Sequence, residues 1–286
     1  MAEAEDTEAA APEAEVEKQA PPQTRPELAV VQTDTVWEDA EANHAKVREQ
    51  LDAAGPKPGS LVVLQEMFSS GFTMNVDKVA EKDPSRSEAF LSDQARERGI
   101  YLLGGVVRRG PFGAVRNQSV VYSPEGNLVS RYTKIQGFTL GGESDAYAPG
   151  DDIVMFAWNG FNVAHFICYD LRFPELFRAA AKLGADAYTI IASWPNLRHE
   201  HWTHLLRARA IENQAYVVGV NRCGSDPKFE YDGGSHIVDF RGAVIADAGQ
   251  DEGVVSAAPD LNGLREYRTQ LPFLEDIRDD FVASPL

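Results

Sequence analysis

Three ionisable residues in this chain each follow a predicted strand. Glu66 comes after Leu61-Val62-Val63-Leu64-Gln65, Lys134 after the run 128–132, and Cys168 after Phe161-Asn162-Val163-Ala164-His165-Phe166-Ile167. Such runs read as buried strands, and strand ends converge on one edge of a sheet, where α/β proteins place their sites. A carboxylate, an ammonium and a thiol gathered there make a coherent device. The carboxylate takes the thiol proton as general base. The thiolate attacks an acyl carbon. The ammonium stabilises the oxyanion, helped by a backbone N–H beside the nucleophile. Taken singly, each has a plainer reading: a solvated Glu at a strand end, a surface Lys, a buried structural Cys. Pro174-Glu175 opens a helix soon after Cys168, and backbone N–H groups there are expected to favour its thiolate.

The elements that must position these groups alternate. Strands are expected at 28–32, 61–64 and 100–107, with helices at about 39–53 and 84–98 between them. Strands 117–122 and 128–132 flank Ser123-Pro124-Glu125-Gly126-Asn127, a hairpin turn signature. An irregular Gly-rich loop spans 135–151, followed by a strand at 153–157 and the run that ends at Cys168. Further on, helices at about 174–183 and 199–213 alternate with strands at 187–192 and 215–220. Late strands at 235–247 and 253–258 precede a final helix at 259–270. Alternation at both ends with hairpins between predicts an α/β fold, one mixed sheet or two sheets covered by helices.

Composition narrows the partners. The 286 residues carry 27 Lys and Arg against 44 Asp and Glu, a formal charge of −17. Residues 1–26, rich in Ala, Glu and Pro, account for −5 of it and read as a disordered acidic tail. The body carries the remaining −12, with no basic footprint for nucleic acid or an anionic membrane. Two cysteines, Cys168 and Cys223, make no disulfide framework. The N-terminus lacks the features of a secretory signal, and no apolar run is long enough to span a bilayer. A cytoplasmic protein is expected.

The three motifs resemble those of the nitrilase, or carbon–nitrogen hydrolase, superfamily: Leu-Val-Val-Leu-Gln-Glu66-Met-Phe, Arg-Tyr-Thr-Lys134-Ile-Gln-Gly-Phe, and Cys168-Tyr-Asp-Leu-Arg-Phe-Pro-Glu-Leu. The resemblance runs over residues 27–275, which would make one domain with a C-terminal extension at 276–286. It implies a four-layer α-β-β-α sandwich. It also implies Glu66 as base, Lys134 as oxyanion stabiliser, Cys168 as nucleophile and the Tyr169 backbone N–H as second oxyanion donor. Glu143, ahead of Tyr147-Ala148-Pro149-Gly150, matches a second family Glu that holds the lysine or the leaving ammonia. The family usually has His-Leu-Phe where this chain has Gln136-Gly137-Phe138, and Gln cannot titrate near neutral pH.

Within the superfamily the chain is most similar to bacterial ω-amidases. The shared stretches include Ala192-Ser193-Trp194-Pro195, His201-Trp202, Asn221-Arg222 and Leu264-Arg265-Glu266-Tyr267-Arg268. The resemblance implies hydrolysis of the terminal amide of a short α-keto dicarboxylic acid, of the 2-oxoglutaramate kind, through a thioester, with no metal or organic cofactor. It also implies a homodimer pairing through the helix after Cys168 and the C-terminal extension. Deaminated-glutathione amidase and N-carbamoyl amino acid hydrolase share the three residues. A silent interaction scaffold is the reading from another class.

Other residues carry open alternatives. Trp194 and Pro195 either line the acyl pocket or pack the core. Arg172 either binds a substrate carboxylate or, as favoured here, makes a structural ion pair with an acid; Arg198 and Arg222 are vaguer candidates for the carboxylate. His199, His201 and His204 with Glu200 lack the H-E-x-x-H spacing, because Thr203 stands where the second His belongs. Cys223 has no evident base. Gly104-Gly105 lacks the spacing of a dinucleotide loop.

Overall fold

The computed structural model describes residues 27–110 and 112–278; the acidic tail and most of the C-terminal extension lie outside them. The first half builds β1 (Leu28–Gln32), α1 (Ala40–Ala54), β2 (Leu61–Val63), a short α2 (Val76–Val79), α3 (Arg86–Arg98), β3 (Tyr101–Arg109), β4 (Val115–Tyr122) and β5 (Leu128–Thr133). The Gly-rich loop contains a single helical turn, α4 (Glu143–Ala146). The second half builds β6 (Met155–Trp158), β7 (Phe161–Ile167), α5 (Pro174–Lys182), β8 (Ala187–Ala192), α6 (His199–Asn213), β9 (Tyr216–Asn221), β10 (Cys223–Ser225), β11 (Glu230–Asp232), β12 (His236–Val238) and β13 (Val244–Asp247). β14 (Gly253–Ala257) and α7 (Leu261–Gln270) follow.

Two six-stranded sheets result, ordered β14-β1-β2-β3-β4-β5 and β13-β12-β9-β8-β7-β6. Each has three parallel strands at its heart, β1-β2-β3 in one and β7-β8-β9 in the other, with antiparallel neighbours on both sides. Strand periodicity sorts the layers. Leu28 and Val30 of β1 face the core between the sheets, whereas Ala29 and Val31 meet Val47 and Leu51 of α1 and Leu91 of α3. On the other side Phe166 of β7 stacks on Phe177 of α5, ring centroids 4.3 Å apart. The α-β-β-α sandwich is therefore present, as two sheets rather than one.

Helix ends follow local chemistry. Asp39 caps α1 by accepting from the Ala42 N–H, and Gly55 ends it in the left-handed region. Ser85 accepts from the Glu88 N–H to start α3, so that helix begins two residues after Pro84. The expected long strand at 235–247 is two short strands, β12 and β13, parted by a turn in which Asp239 accepts from the Arg241 and Ala243 N–H groups. The β10–β11 hairpin went unforeseen, because Cys223-Gly224-Ser225 is too short and polar to show strand periodicity.

A buried polar link joins the sheets. His165 of β7 lies 2.9 Å from Ser119 Oγ of β4 through Nδ1 and 2.9 Å from Ser130 Oγ of β5 through Nε2. Both ring nitrogens are thus partnered within an otherwise apolar layer.

Candidate active site

Glu66, Lys134 and Cys168 leave the C-terminal ends of β2, β5 and β7, and the structure brings them together. Lys134 Nζ donates to Glu66 Oε1 at 3.0 Å and to Glu143 Oε1 and Oε2 at 2.9 and 2.8 Å. All three side chains are almost wholly removed from solvent, at 3% exposure for Lys134, 0% for Glu66 and 1% for Glu143. Buried charges persist only when paired and hydrogen-bonded, and every carboxylate oxygen here is occupied. Ser193 N–H donates to Glu66 Oε2 at 2.9 Å, and Phe138 N–H to Glu143 Oε2 at 2.8 Å.

Asn117, on β4, is a member of this cluster that sequence reading missed. Its Nδ2 donates to Glu66 Oε1 at 2.7 Å and to Glu143 Oε1 at 2.9 Å. The amide orientation is forced, because ionised carboxylates only accept. An Asn in a strand carries no signal of its own. Only its position opposite two other segments reveals the role.

Backbone geometry sets the two turns that carry the chemistry. Met67, directly after Glu66, has φ 47°, and so does Cys168. Left-handed geometry at a non-Gly residue is uncommon and gathers at functional turns. The Glu66 turn fits only because Gly105 of β3 lies beneath it. A Cβ there would sit 2.6 Å from Met67 N and 2.7 Å from Glu66 Cα. Gly105 is thus a site glycine of an unexpected kind. Gly150 does the same for the lysine loop: its N–H donates to Lys134 O at 2.8 Å, and an added Cβ would meet Thr133 O at 2.4 Å.

Cys168 opens a 3-10 turn over Cys168–Arg172, and α5 starts only at Pro174. The thiolate expected from a helix N-terminus is therefore corrected. Dense packing around the thiol, then the Glu66 and Glu143 carboxylates, hold its pKa well above the ordinary range, against Lys134 and a backbone hydrogen bond at Ser193. Burial and the two carboxylates favour the thiol over the thiolate at rest. For Lys134, burial works against the ammonium, but Glu143 and then Glu66 outweigh it and hold its pKa well above the usual value. The lysine stays charged.

Asp170 clamps the nucleophile turn to the lysine loop. Its Oδ1 accepts from Gln136 N–H at 2.8 Å, and its Oδ2 accepts from Ile167 N–H at 2.9 Å and Tyr132 O–H at 2.7 Å. Burial pushes its carboxyl up to about 6.

Cys168 opens onto a narrow slot of about 30 Å³. Tyr169, Trp194 and Pro195 all line it, together with Ser193, Arg172 and Arg198. Both readings of Trp194 hold at once: the ring faces the slot and also packs on Trp202, with centroids 5.7 Å apart. Its loop is fixed by Asn221, which accepts from Trp194 N–H at 2.7 Å and donates to Trp194 O at 3.0 Å. Asn221 too was hidden from a sequence reading of roles.

The ion pair favoured for Arg172 is absent among the described residues. Its guanidinium lies over the Trp194 ring, 4.5 Å from the centroid, and near His201 Nδ1 at 3.4 Å. A half-buried cation without an acid is available to an anion in the slot. Arg198, over Phe138 at 5.7 Å, joins it there. Arg222 is different. It is fully buried and donates to Asp34 Oδ1, Thr35 O and Ser225 O, so it belongs to the scaffold. Burial raises the Cys223 thiol to about 11, leaving it protonated and unreactive. His199 and His204 do not converge with His201: His199 packs on Gly234, and His204 Nδ1 lies 2.7 Å from Glu200 O. Gln136 and Gly137, where the sequence departs from the family pattern, line a separate chamber and not the slot, whereas Phe138 reaches the slot.

Comparison with known proteins agrees with this geometry. Residues 27–269 match the carbon–nitrogen hydrolase family. The 2-oxoglutaramate amidase of Bacillus subtilis is 36% identical over 78% of this chain and 87% of that protein. The omega-amidase NIT2 of Xenopus tropicalis is 36% identical over 82% of this chain and 88% of its own length. A CN-hydrolase superfamily protein of Xanthomonas campestris, solved with an arsenic adduct in its active site, superposes with a TM-score of 0.83 at 32% identity, covering 90% of this chain and 98% of that one. The chain belongs to the carbon–nitrogen hydrolase family and is an enzyme acting on amides.

Proposed function

We propose that the enzyme hydrolyses the terminal amide of a short α-keto dicarboxylic acid, 2-oxoglutaramate or a close analogue. The observation that carries this reading is the pair Arg172 and Arg198 on the wall of the slot that holds Cys168. A substrate with its amide at the thiol and an acid at its far end meets a cation that has no acidic partner. The names of the Bacillus subtilis and Xenopus tropicalis relatives point the same way.

Glu66 takes the Cys168 proton as Sγ forms its bond to the amide carbon. The carbonyl oxygen becomes an oxyanion, stabilised by the Lys134 ammonium and the Tyr169 N–H. Glu66 returns the proton to the nitrogen, the C–N bond breaks and ammonia leaves, with the acyl group held as a thioester. Glu66 then takes a proton from water, whose oxygen attacks the thioester carbon. Collapse of this second oxyanion expels the Cys168 sulfur, which regains the proton, and releases the acid. Glu143 and Asn117 hold Lys134 and Glu66 in register. A cytoplasmic homodimer remains our reading of the assembly; exposed Leu183 and Ile211, near the ends of α5 and α6, suit such a contact. Among the described residues no helix is long and apolar enough to cross a membrane.

One observation favours a longer substrate. The slot shares Phe72, Phe138, Arg198 and Phe229 with an outer vestibule of about 620 Å³ that also carries Lys228. An acid such as deaminated glutathione would extend there. An ammonia-release assay over 2-oxoglutaramate, deaminated glutathione, N-carbamoyl amino acids and uncharged amides decides the matter. Fastest release from the short keto acid amide supports the reading; fastest release from an uncharged amide overturns it.

A further inference from the structure

Asp170 sits beside the reacting groups without joining them: it is 0% exposed and does not line the slot. Neutral donors alone hold its carboxylate. Gln136 N–H reaches Oδ1 at 2.8 Å, and Ile167 N–H and Tyr132 O–H reach Oδ2 at 2.9 and 2.7 Å. The Lys134 ammonium is bound to Glu66 and Glu143 instead. Burying a carboxylate without an ion pair is costly, and what these donors hold together gives the reason for it. Ile167 directly precedes Cys168, and Asp170 lies in the same 3-10 turn, so one bond reaches back across Cys168 and fixes its left-handed backbone. The other two reach the lysine loop on either side of Lys134. Gln136 stands two residues after it and Tyr132 two before, and the Tyr132 hydroxyl also accepts from Ile135 N–H at 3.3 Å. One carboxylate thus ties the turn that follows β7 in one sheet to the loop that follows β5 in the other.

We propose that Asp170 is a positioning residue that keeps the two oxyanion donors in register, the Tyr169 N–H on the turn and the Lys134 ammonium on the loop. The inference rests on the roles proposed for Cys168, Tyr169 and Lys134, and not on the choice of substrate. Donors stabilise an oxyanion only when they lie at hydrogen-bond distance from the one place where it forms. The direction of the Tyr169 N–H follows the turn, and Asp170 sets that turn against the loop. The same two donors serve the oxyanion of thioester formation and the oxyanion of thioester hydrolysis. Loosening their register therefore slows both steps together. Asp170 touches neither the acyl carbon nor its oxygen, so substrate binding does not depend on it.

The test separates register from general damage by using two reactions of Cys168. Turnover of the amide that the wild type hydrolyses best needs both oxyanion donors. Alkylation by iodoacetamide does not, because sulfur displaces iodide at a saturated carbon and no oxyanion forms. Asp170→Asn keeps the shape but turns an N–H group toward donors, which breaks one side of the link. Its kcat should fall about 100-fold with KM within about twofold of wild type. Its alkylation rate should stay within about threefold, since that reaction needs only a reachable thiolate. Tyr132→Phe keeps the ring in the core and removes one link; the same pattern at about a tenfold loss of kcat is expected, and this variant carries the test if Asp170→Asn does not fold. Unchanged kcat in both variants overturns the proposal. So does an alkylation rate that changes as much as kcat, because that reports a distorted nucleophile turn. Cys168→Ala tells two failures apart: retained turnover there overturns the site and this proposal together, whereas an inactive Cys168→Ala beside a fully active Asp170→Asn overturns this proposal alone.

Discussion

The two sheets contribute unequally to the site. The first, through β2, β4 and β5, delivers charge: Glu66, Asn117 and Lys134, bound to one another and to Glu143 by hydrogen bonds of 2.7 to 3.0 Å. The second, through β7 and β8, delivers the proposed nucleophile and the slot: Cys168 in a left-handed turn, and Ser193, Trp194 and Pro195 after β8. The first set is structural and chemical at once, since removing Lys134 leaves two carboxylates buried without their cation. The second is chemical with little structural consequence at the sulfur itself.

That contrast is sharpest for two substitutions. Cys168→Ala should abolish ammonia release, a loss of about 10⁴-fold or more in kcat, while a thermal melt stays close to wild type. Lys134→Met should also end activity, but with a fall in unfolding free energy of about 3–5 kcal/mol, because Glu66 and Glu143 are left buried without their cation. Urea unfolding of the two proteins side by side is the check. If Lys134→Met is as stable as Cys168→Ala, the charged cluster is not the structural element described above.

The link between the sheets has its own signature. Burial lowers His165 to about 3, so it is neutral between Ser119 and Ser130. Its folded pKa lies below the unfolded 6.5. The unfolded chain therefore binds the proton first, and stability contributed by His165 is full above pH 6.5 and lost as pH falls toward 3, by up to roughly 5 kcal/mol. Asp170, raised to about 6 from 3.8 by burial, acts in the opposite sense, losing stability as pH rises through that window. Denaturant midpoints of wild type and His165→Asn at matched pH isolate the histidine. The stability gap between them should narrow on acidification, and a constant gap would show that His165 is not held neutral.

The smallest effect belongs to the slot. Arg172→Met should raise KM for a half-amide of a dicarboxylic acid about 30-fold with kcat nearly kept, a loss of about 2 kcal/mol of ground-state binding. KM for an uncharged amide should move little. Equal changes on both substrates would assign Arg172 to packing on Trp194.

Glu66, Lys134 and Cys168 were legible in the sequence because each sits at a strand end flanked by distinctive motif residues, and Glu143 was legible from its place before Tyr147-Ala148-Pro149-Gly150. The layers were legible because apolar alternation in strands such as β1 already sorts residues into two faces. Asn117, Gly105 and Asn221 were not, since each acts on a segment far away in the chain: Asn117 on Glu66 across 51 residues, Asn221 on Trp194 across 27. The protonation of Cys168 was misjudged for a related reason. The sequence places a helix soon after the thiol, but the balance between packing, two carboxylates and one ammonium exists only when the sheets meet. Arg172 was misread likewise, because whether an arginine finds an acid depends on what the fold sets around it. The order of elements and the identity of the reacting groups are local properties of the chain. Charge state and the separation of slot from chamber are set by distances between segments, and those only the tertiary structure decides.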